Sequence, residues 1–230
     1  MELMSFNTQH CLNYLEKRVD YEIMARAIQE LGADIIGLNE MFDGGRYCAQ
    51  TKELSRLTGI ENYYFAKAID DADGPYGNGI LSKIPIVSAE TIIIPDPYPL
   101  RPGGWYETRC VLKAELENGV RVLVTHFGLE KDEQENAVRT LLEHIREEKC
   151  ILMGDFNVEP SNPILAPLKE GLIDTSLGFC ENKPSFPSDA PKIKIDYIFV
   201  SRDIEVVSSD IAEIIASDHR PHIADVNICE

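Results

Sequence analysis

Asp155 and Asn157 follow the run Cys150-Ile151-Leu152-Met153, four apolar residues that read as a short buried strand closed by Gly154. A carboxylate and a carboxamide two residues apart, where a buried strand reaches solvent, form a candidate site. Both residue types also favour turns through bonds to their own backbone. Other chemistry-bearing side chains repeat this placement. Asn7 ends the alternating run Glu2 to Asn7, and Asp34-Ile35-Ile36-Gly37-Leu38-Asn39 delivers Glu40, which could equally be an exposed loop acid. His126 closes a row of Val120, Val122 and Val124, where a satisfied core histidine is the alternative. Asp196 shares a strand face with Ile198 and Val200, and an ionised carboxylate there is costly unless paired. His219, in Ser217-Asp218-His219, is the candidate partner; pairing would fix its tautomer and raise its pKa.

The elements that must position these groups are legible as short strands with a few amphipathic helices. Asp20 reads as an N-cap before Ile23, Met24, Ala27, Ile28 and Leu31, with Gly32 ending that helix. A second helix is predicted over Ala49 to Thr58, a third over Lys131 to Arg146, and a short one through Leu168. Strands are expected near Tyr63 to Ala66, Asn78 to Ser82, Ile86 to Ile94, Ile195 to Val200 and His222 to Ile228. Asn118-Gly119 joins Arg109–Glu117 to Val120–His126 as a hairpin. Prolines at 95, 97, 99 and 102 forbid helix or central strand before Trp105-Tyr106, aromatics that could wall a cleft or cover a sheet edge. Pro184, Pro187 and Pro191 mark a second irregular loop.

With 22 basic and 39 acidic residues the net charge is −17, which opposes nonspecific binding to nucleic acid or anionic lipid. No stretch is apolar enough for a membrane span, and Met1-Glu2-Leu3 does not open a signal peptide, so a cytoplasmic location is expected. The six cysteines, at 11, 48, 110, 150, 180 and 229, lack paired zinc or redox spacing and read as unbridged core or surface residues. Without repeats or linkers, one domain over 1–230 is expected.

Several pieces in this order resemble the endonuclease/exonuclease/phosphatase superfamily: Ser5-Phe6-Asn7, Gly37-Leu38-Asn39-Glu40, Tyr76-Gly77-Asn78-Gly79-Ile80-Leu81-Ser82-Lys83, Thr125-His126-Phe127, Gly154-Asp155-Phe156-Asn157, Ile195-Asp196-Tyr197-Ile198-Phe199-Val200 and Ser217-Asp218-His219. The resemblance implies a DNase I-like α/β fold, a four-layered sandwich of two packed, mostly antiparallel sheets flanked by helices. It also implies metal-dependent hydrolysis of a phosphate ester. On that basis Asn7, Glu40 and Asp218 bind Mg2+, or Mn2+, and Asp155 orients or deprotonates the attacking water. Asn157 bonds that water or a phosphate oxygen, His219 faces the phosphate with Asp196 behind it, and His126 contacts another oxygen. Asn78 supports His126, and Asn78, Trp105 and Arg109 are candidate substrate contacts.

The nuclease pattern Asn-x-Asp is Asn7-Thr8-Gln9 here, one carboxylate fewer, and His222 stands at a usually apolar position. His222 reads as strand packing rather than chemistry, and small size, the lack of extra basic loops and the acidity favour a phosphodiesterase or phosphatase, working as a monomer on a small or lipid-headgroup phosphate ester. Nucleic acid is the disfavoured substrate; a nuclease would need Arg101, Arg109, Lys192 and Lys194 to form a basic track. A silent binding domain of the same fold is the remaining alternative. Arg109 could clamp a second anionic group or pair with Glu107.

Overall fold

The apolar alternation along the strands leaves each sheet with two faces to bury, and the chain solves this by stacking. The computed structural model describes residues 1–228, so Cys229 lies outside the described residues. In chain order the elements are β1 (Glu2–Asn7), β2 (Leu12–Asn13), β3 (Arg18–Val19), α1 (Tyr21–Leu31), β4 (Ile35–Phe42), α2 (Gln50–Thr58), β5 (Asn62–Asp71), β6 (Gly74–Ser82) and β7 (Ile86–Ile93). There follow β8 (Cys110–Leu116), β9 (Arg121–His126), α3 (Lys131–Leu142), β10 (Cys150–Asp155), α4 (Ala166–Gly171), β11 (Leu172–Asp174), β12 (Asp196–Ser201), β13 (Ile204–Ile211) and β14 (His222–Ile228).

One sheet runs β13-β14-β1-β4-β6-β5 and the other β11-β12-β10-β9-β8-β7. Only β1–β4 and β9–β10 pair in parallel among the named strands; the rest are antiparallel. Between the sheets lie Leu3, Ile35, Ile80, Val122, Val124, Ile151, Met153, Ile198 and Val200. The helix-covered faces bury the alternate residues. Met4, Phe6, Ile36 and Leu38 meet Met24, Ala27 and Ile28 of α1, whereas Leu123, Leu152 and Phe199 meet Ala137, Val138 and Leu141 of α3. The result is the four-layered α/β sandwich with two sheets that the sequence implied.

Local chemistry accounts for the ends. The Asp20 carboxylate accepts from the Ile23 N–H, and Gly32 closes α1 in the left-handed region. Helix α3 stops at Leu142, four residues short of the expected end. Its final peptide groups turn tightly, with the His144 and Ile145 N–H groups both donating to the Leu141 carbonyl, and Arg121 captures the His144 carbonyl at 2.8 Å. The five described cysteines are unbridged, and only Cys48 is exposed. No helix among the described residues is long and apolar enough to cross a membrane.

Candidate active site

Strand register assembles the centre. Asp155 on β10 is the direct partner of His126 on β9 and of Asp196 on β12, so three expected residues stand abreast at one end of the second sheet. In the facing sheet Asn7 on β1 pairs with Asn39 on β4. Residue 154 must be glycine: its φ is +151°, and an added Cβ would lie 1.8 Å from the Thr125 carbonyl oxygen. That tight crossing brings β10 close enough to β9 to align Asp155 with His126.

Asp155 is 1 % exposed and is the hub. Its Oδ1 accepts from the Asn157 N–H at 2.9 Å; its Oδ2 accepts from Asn7 Nδ2 at 3.1 Å and lies 3.5 Å from His126 Nε2 and 3.6 Å from His219 Nε2. Burial, opposed by the His219 charge, pushes the Asp155 carboxyl up to about 7. Two imidazoles and a carboxamide thus converge on one carboxylate oxygen.

The imidazoles differ in charge. Burial works against a charged His219, but the Asp196 and Asp155 carboxylates outweigh it and raise the ring to about 10. Its Nδ1 donates to Asp196 Oδ2 at 2.9 Å, and Phe186 packs against the ring with centroids 4.8 Å apart. His126 instead is held well below the usual histidine range, by burial and by the Arg109 charge. Arg109 donates to His126 Nδ1 at 3.0 Å, leaving the ring proton on Nε2. Asn157 Nδ2 donates to the Phe127 carbonyl at 2.9 Å and also lies 3.2 Å from that Nε2; because both nitrogens carry protons, the second approach is a contact and not a hydrogen bond.

Glu40 has φ +58°, a left-handed conformation for a side chain that disfavours it, at a bulge in the β4–β6 pairing. Burial and the neighbouring Asp218 carboxylate push its carboxyl up. Two repelling hard-oxygen donors of this kind suit magnesium or manganese. Gln9 Oε1, two residues from Asn7, is likewise buried without a partner. The fit to a hard divalent cation therefore rests on Glu40 and Asp218. Asn7, the third expected ligand, turns its amide nitrogen to Glu40 at 3.0 Å and to Asp155, while its oxygen accepts from the Gln9 N–H at 3.0 Å. It faces the carboxylates as a donor because their charge attracts N–H. Asp155, Asp196 and His219 also bring donor atoms within 4.8 Å of one another, but His219 and Asp196 are already bonded to each other, which disfavours that trio as a cation site.

The expected substrate contacts fare differently. Asn78 is 2 % exposed and both ends of its carboxamide are engaged, by Asn39 at 2.8 Å and the Cys110 carbonyl at 3.0 Å. It faces the space between the sheets rather than substrate. Asn39 in turn accepts from the Asp155 N–H at 3.0 Å and donates to the carbonyl of Thr125, next to His126, at 2.8 Å, so Asn78 braces the strands that carry both Asp155 and His126. Trp105 stands 68 % exposed on the proline loop; its backbone N–H, not its ring, is tied to Glu130. Arg109 is mostly buried and pairs with Glu107 at 2.6 Å while serving His126. The basic track a nuclease would need is not assembled: Lys194 is buried, Arg101 pairs with Glu130 and Asp132, and Arg109 is taken up by Glu107, which leaves the exposed Lys192 alone of the four.

Ser185 escaped the sequence reading. Its buried hydroxyl donates to Asp196 Oδ2 at 2.5 Å, on the loop that also carries Phe186 and receives the Arg220 N–H at the Ser185 carbonyl. A serine between prolines gives no local sign of a partner eleven residues away.

The chain belongs to the Endonuclease/Exonuclease/phosphatase family, whose model matches residues 4–219. Among solved structures it is similar to an endonuclease/exonuclease/phosphatase from Beutenbergia cavernae, at 21 % identity and TM-score 0.84, covering 99 % of this chain and 71 % of that one. It is also similar to a mannosyl-6-phosphatase from Bacteroides thetaiotaomicron, at 19 % identity and TM-score 0.78, covering 99 % of both chains. The human Nocturnin catalytic domain with bound sulfate aligns at 18 % identity and TM-score 0.74, over 100 % of this chain and 94 % of that one. At these identities the likeness is one of fold. No curated protein matches the sequence significantly.

Proposed function

We propose that this chain is a magnesium- or manganese-dependent phosphoesterase acting on a small phosphate ester, with a soluble or lipid-headgroup leaving group. One observation carries the reading: His126 Nε2, His219 Nε2 and the Asn7 carboxamide surround a single Asp155 oxygen, and the same carboxamide holds Glu40. A carboxylate beside a charged and a neutral imidazole suits in-line attack of water on phosphorus. Asp155 takes the water proton as the new P–O bond forms and the ester P–O bond breaks, and the leaving oxygen takes a proton from solvent to depart as the alcohol. His219, charged through Asp196, and the Nε2–H of His126 donate to the phosphoryl oxygens. A divalent cation, held by Glu40 and Asp218 with Asn7 beside them, would supply stabilisation of the charge that develops on oxygen.

The mannosyl-6-phosphatase among the structural relatives supports a small substrate, as do the net charge and the missing basic track. The test compares bis-p-nitrophenyl phosphate with p-nitrophenyl phosphate in magnesium, in manganese and with chelator. Turnover lost on chelation, and lowered about a hundredfold, or on the order of 3 kcal/mol, in Asp155→Asn and His219→Ala, is the expected result. Full activity in either folded variant overturns the assignment. Preference for the monoester identifies a phosphatase, and preference for the diester a phosphodiesterase.

A further inference from the structure

Beside Glu40 the chain builds a group of aromatic rings that the hydrolytic chemistry does not use. Phe42, two residues beyond Glu40, stacks on Tyr47 with centroids 4.7 Å apart and meets Tyr76, its strand partner, at 5.0 Å. His10 lies 5.6 Å from Tyr47 and 6.1 Å from Phe42. Phe42 is nearly buried beneath the others; His10, Tyr47 and Tyr76 are each partly open to solvent. The Tyr76 phenol interacts with Arg109, and His10 lies in the field of Asp218, so the group borders residues of the centre on two sides.

The backbone is committed to this arrangement. Gln9, His10 and Cys11 are three successive residues in the left-handed region, and Gln50 fixes the turn by donating to the His10 carbonyl at 2.8 Å. The loop carrying Tyr47 is pinned to the β5–β6 turn: the Arg46 N–H donates to the Asp73 carbonyl at 2.7 Å and the Asp43 N–H to the Pro75 carbonyl at 2.9 Å. Gly45 must be glycine there, since an added Cβ would lie 2.2 Å from the Asp73 oxygen. Strained residues and a glycine crossing hold a ring face at the edge of the phosphate site.

We infer that His10, Phe42, Tyr47 and Tyr76 form the leaving-group subsite, and that it takes the uncharged, hydroxyl-bearing ring of a sugar phosphate monoester. The inference rests on the phosphoesterase reading above and adds the substrate class. The rings offer a flat surface for the C–H face of a sugar. The charges around them are mostly acidic: Asp43, Asp71 and Asp73 border the loop, Arg46 lies 3.5 Å from Asp73 and 5.9 Å from the centroid of the Tyr47 ring, and Arg109 at the Tyr76 end is paired with Glu107. Carboxylates accept from sugar hydroxyls and repel a second phosphate. The opening past Asn157 is lined by Leu129, Lys131, Gln134, Val158, Glu159 and Ile193 among others and carries no aromatic ring.

The experiment measures kcat/KM for a hexose 6-phosphate, a hexose 1,6-bisphosphate, a nucleoside 5′-monophosphate and methyl phosphate, in the wild type, Tyr47→Ala, Tyr47→Phe and His10→Ala, with thermal unfolding as the check on folding. The expected wild-type order places hexose 6-phosphate first and the bisphosphate at least tenfold lower. Tyr47→Ala and His10→Ala each lower the ratio of hexose phosphate to methyl phosphate about tenfold, and Tyr47→Phe restores it. Unchanged ratios in both folded alanine variants, a preferred bisphosphate, or a preferred nucleotide overturns the inference while metal-dependent turnover of methyl or p-nitrophenyl phosphate leaves the phosphoesterase reading standing. No turnover of any ester by the metal-loaded wild type overturns both.

Discussion

The Nδ1 atom of His219 lies 2.9 Å from Oδ2 of Asp196, and that same oxygen receives the Ser185 hydroxyl. Asp196 Oδ1 is buried without a partner, so every bond the carboxylate makes passes through one oxygen. Ser185 is therefore a positioning residue for the histidine, acting through the aspartate. Ser185→Ala should lower kcat about tenfold with little change in KM, the scale of a hydrogen bond to a charged group. Ser185→Thr, which keeps the hydroxyl, should recover most of it. Equal effects on kcat and KM, or a threonine variant as slow as alanine, would contradict this role.

Arg109 determines which nitrogen of His126 carries the proton. A guanidinium has no acceptor to offer, so its 3.0 Å contact with Nδ1 leaves Nε2 protonated and facing Asp155. Long-range nitrogen–proton correlation spectra of labelled protein should show the Nε2–H form at neutral pH, and a mixture of forms in Arg109→Met. A dominant Nδ1–H form in the wild type would invert the assigned role, making Asn157 the donor to this ring.

Most of the centre was legible because strand ends and residue types coincide. Asn7, Glu40, His126, Asp155, Asp196, Asp218 and His219 each close or adjoin an apolar run, and β9, β10 and β12 bring three of them into register. What escaped depends on contacts without a local signature. Strand β13 lacks alternation because Glu205, Ser208 and Asp210 sit on an edge interrupted by a bulge. The motif around Asn78 names a position, whereas burial between the sheets decides what its amide can touch. The ring group beside Glu40 needs left-handed backbone at Gln9, His10 and Cys11, residue types that do not announce it.

Gly154 supports both fold and site, and the two effects should fall together. A methyl group at this position meets backbone, the Thr125 carbonyl, rather than a side chain that could swing away. Strand β10 lies between β9 and β12 and has no free edge toward which to relax. Gly154→Ala should cost about 3 kcal/mol or more, read from the denaturant midpoint, and should reduce turnover by displacing Asp155 from His126. A variant as stable as wild type would mean that the crossing is looser than it stands here.

His222 gives the protein a dependence on pH that is separable from the chemistry. The ring is fully buried; its Nε2 lies 2.9 Å from the Ser209 hydroxyl and 3.3 Å from that of Thr175, and its Nδ1 lies 3.3 Å from the Asp196 carbonyl oxygen. Burial and the nearby Lys194 charge, opposed by Asp174 and Asp196, lower it to about 4. Between pH 4 and 6.5 the unfolded chain therefore binds a proton that the folded chain refuses. Stability from this group is complete above 6.5 and is lost as pH falls through 4, a change on the order of 3 kcal/mol. Asp155 runs the other way over much of the same window, since its raised carboxyl holds a proton longer in the folded state, so the wild-type profile alone mixes the two. Comparison with His222→Gln isolates the histidine. The wild type should be the more stable at pH 7, and its advantage should shrink by roughly that amount on descending to pH 4, measured by denaturant unfolding. An advantage that stays constant over this range would show that His222 is protonated in the folded protein, and its contacts with Ser209 and Thr175 would then have to be read with both hydroxyls as acceptors.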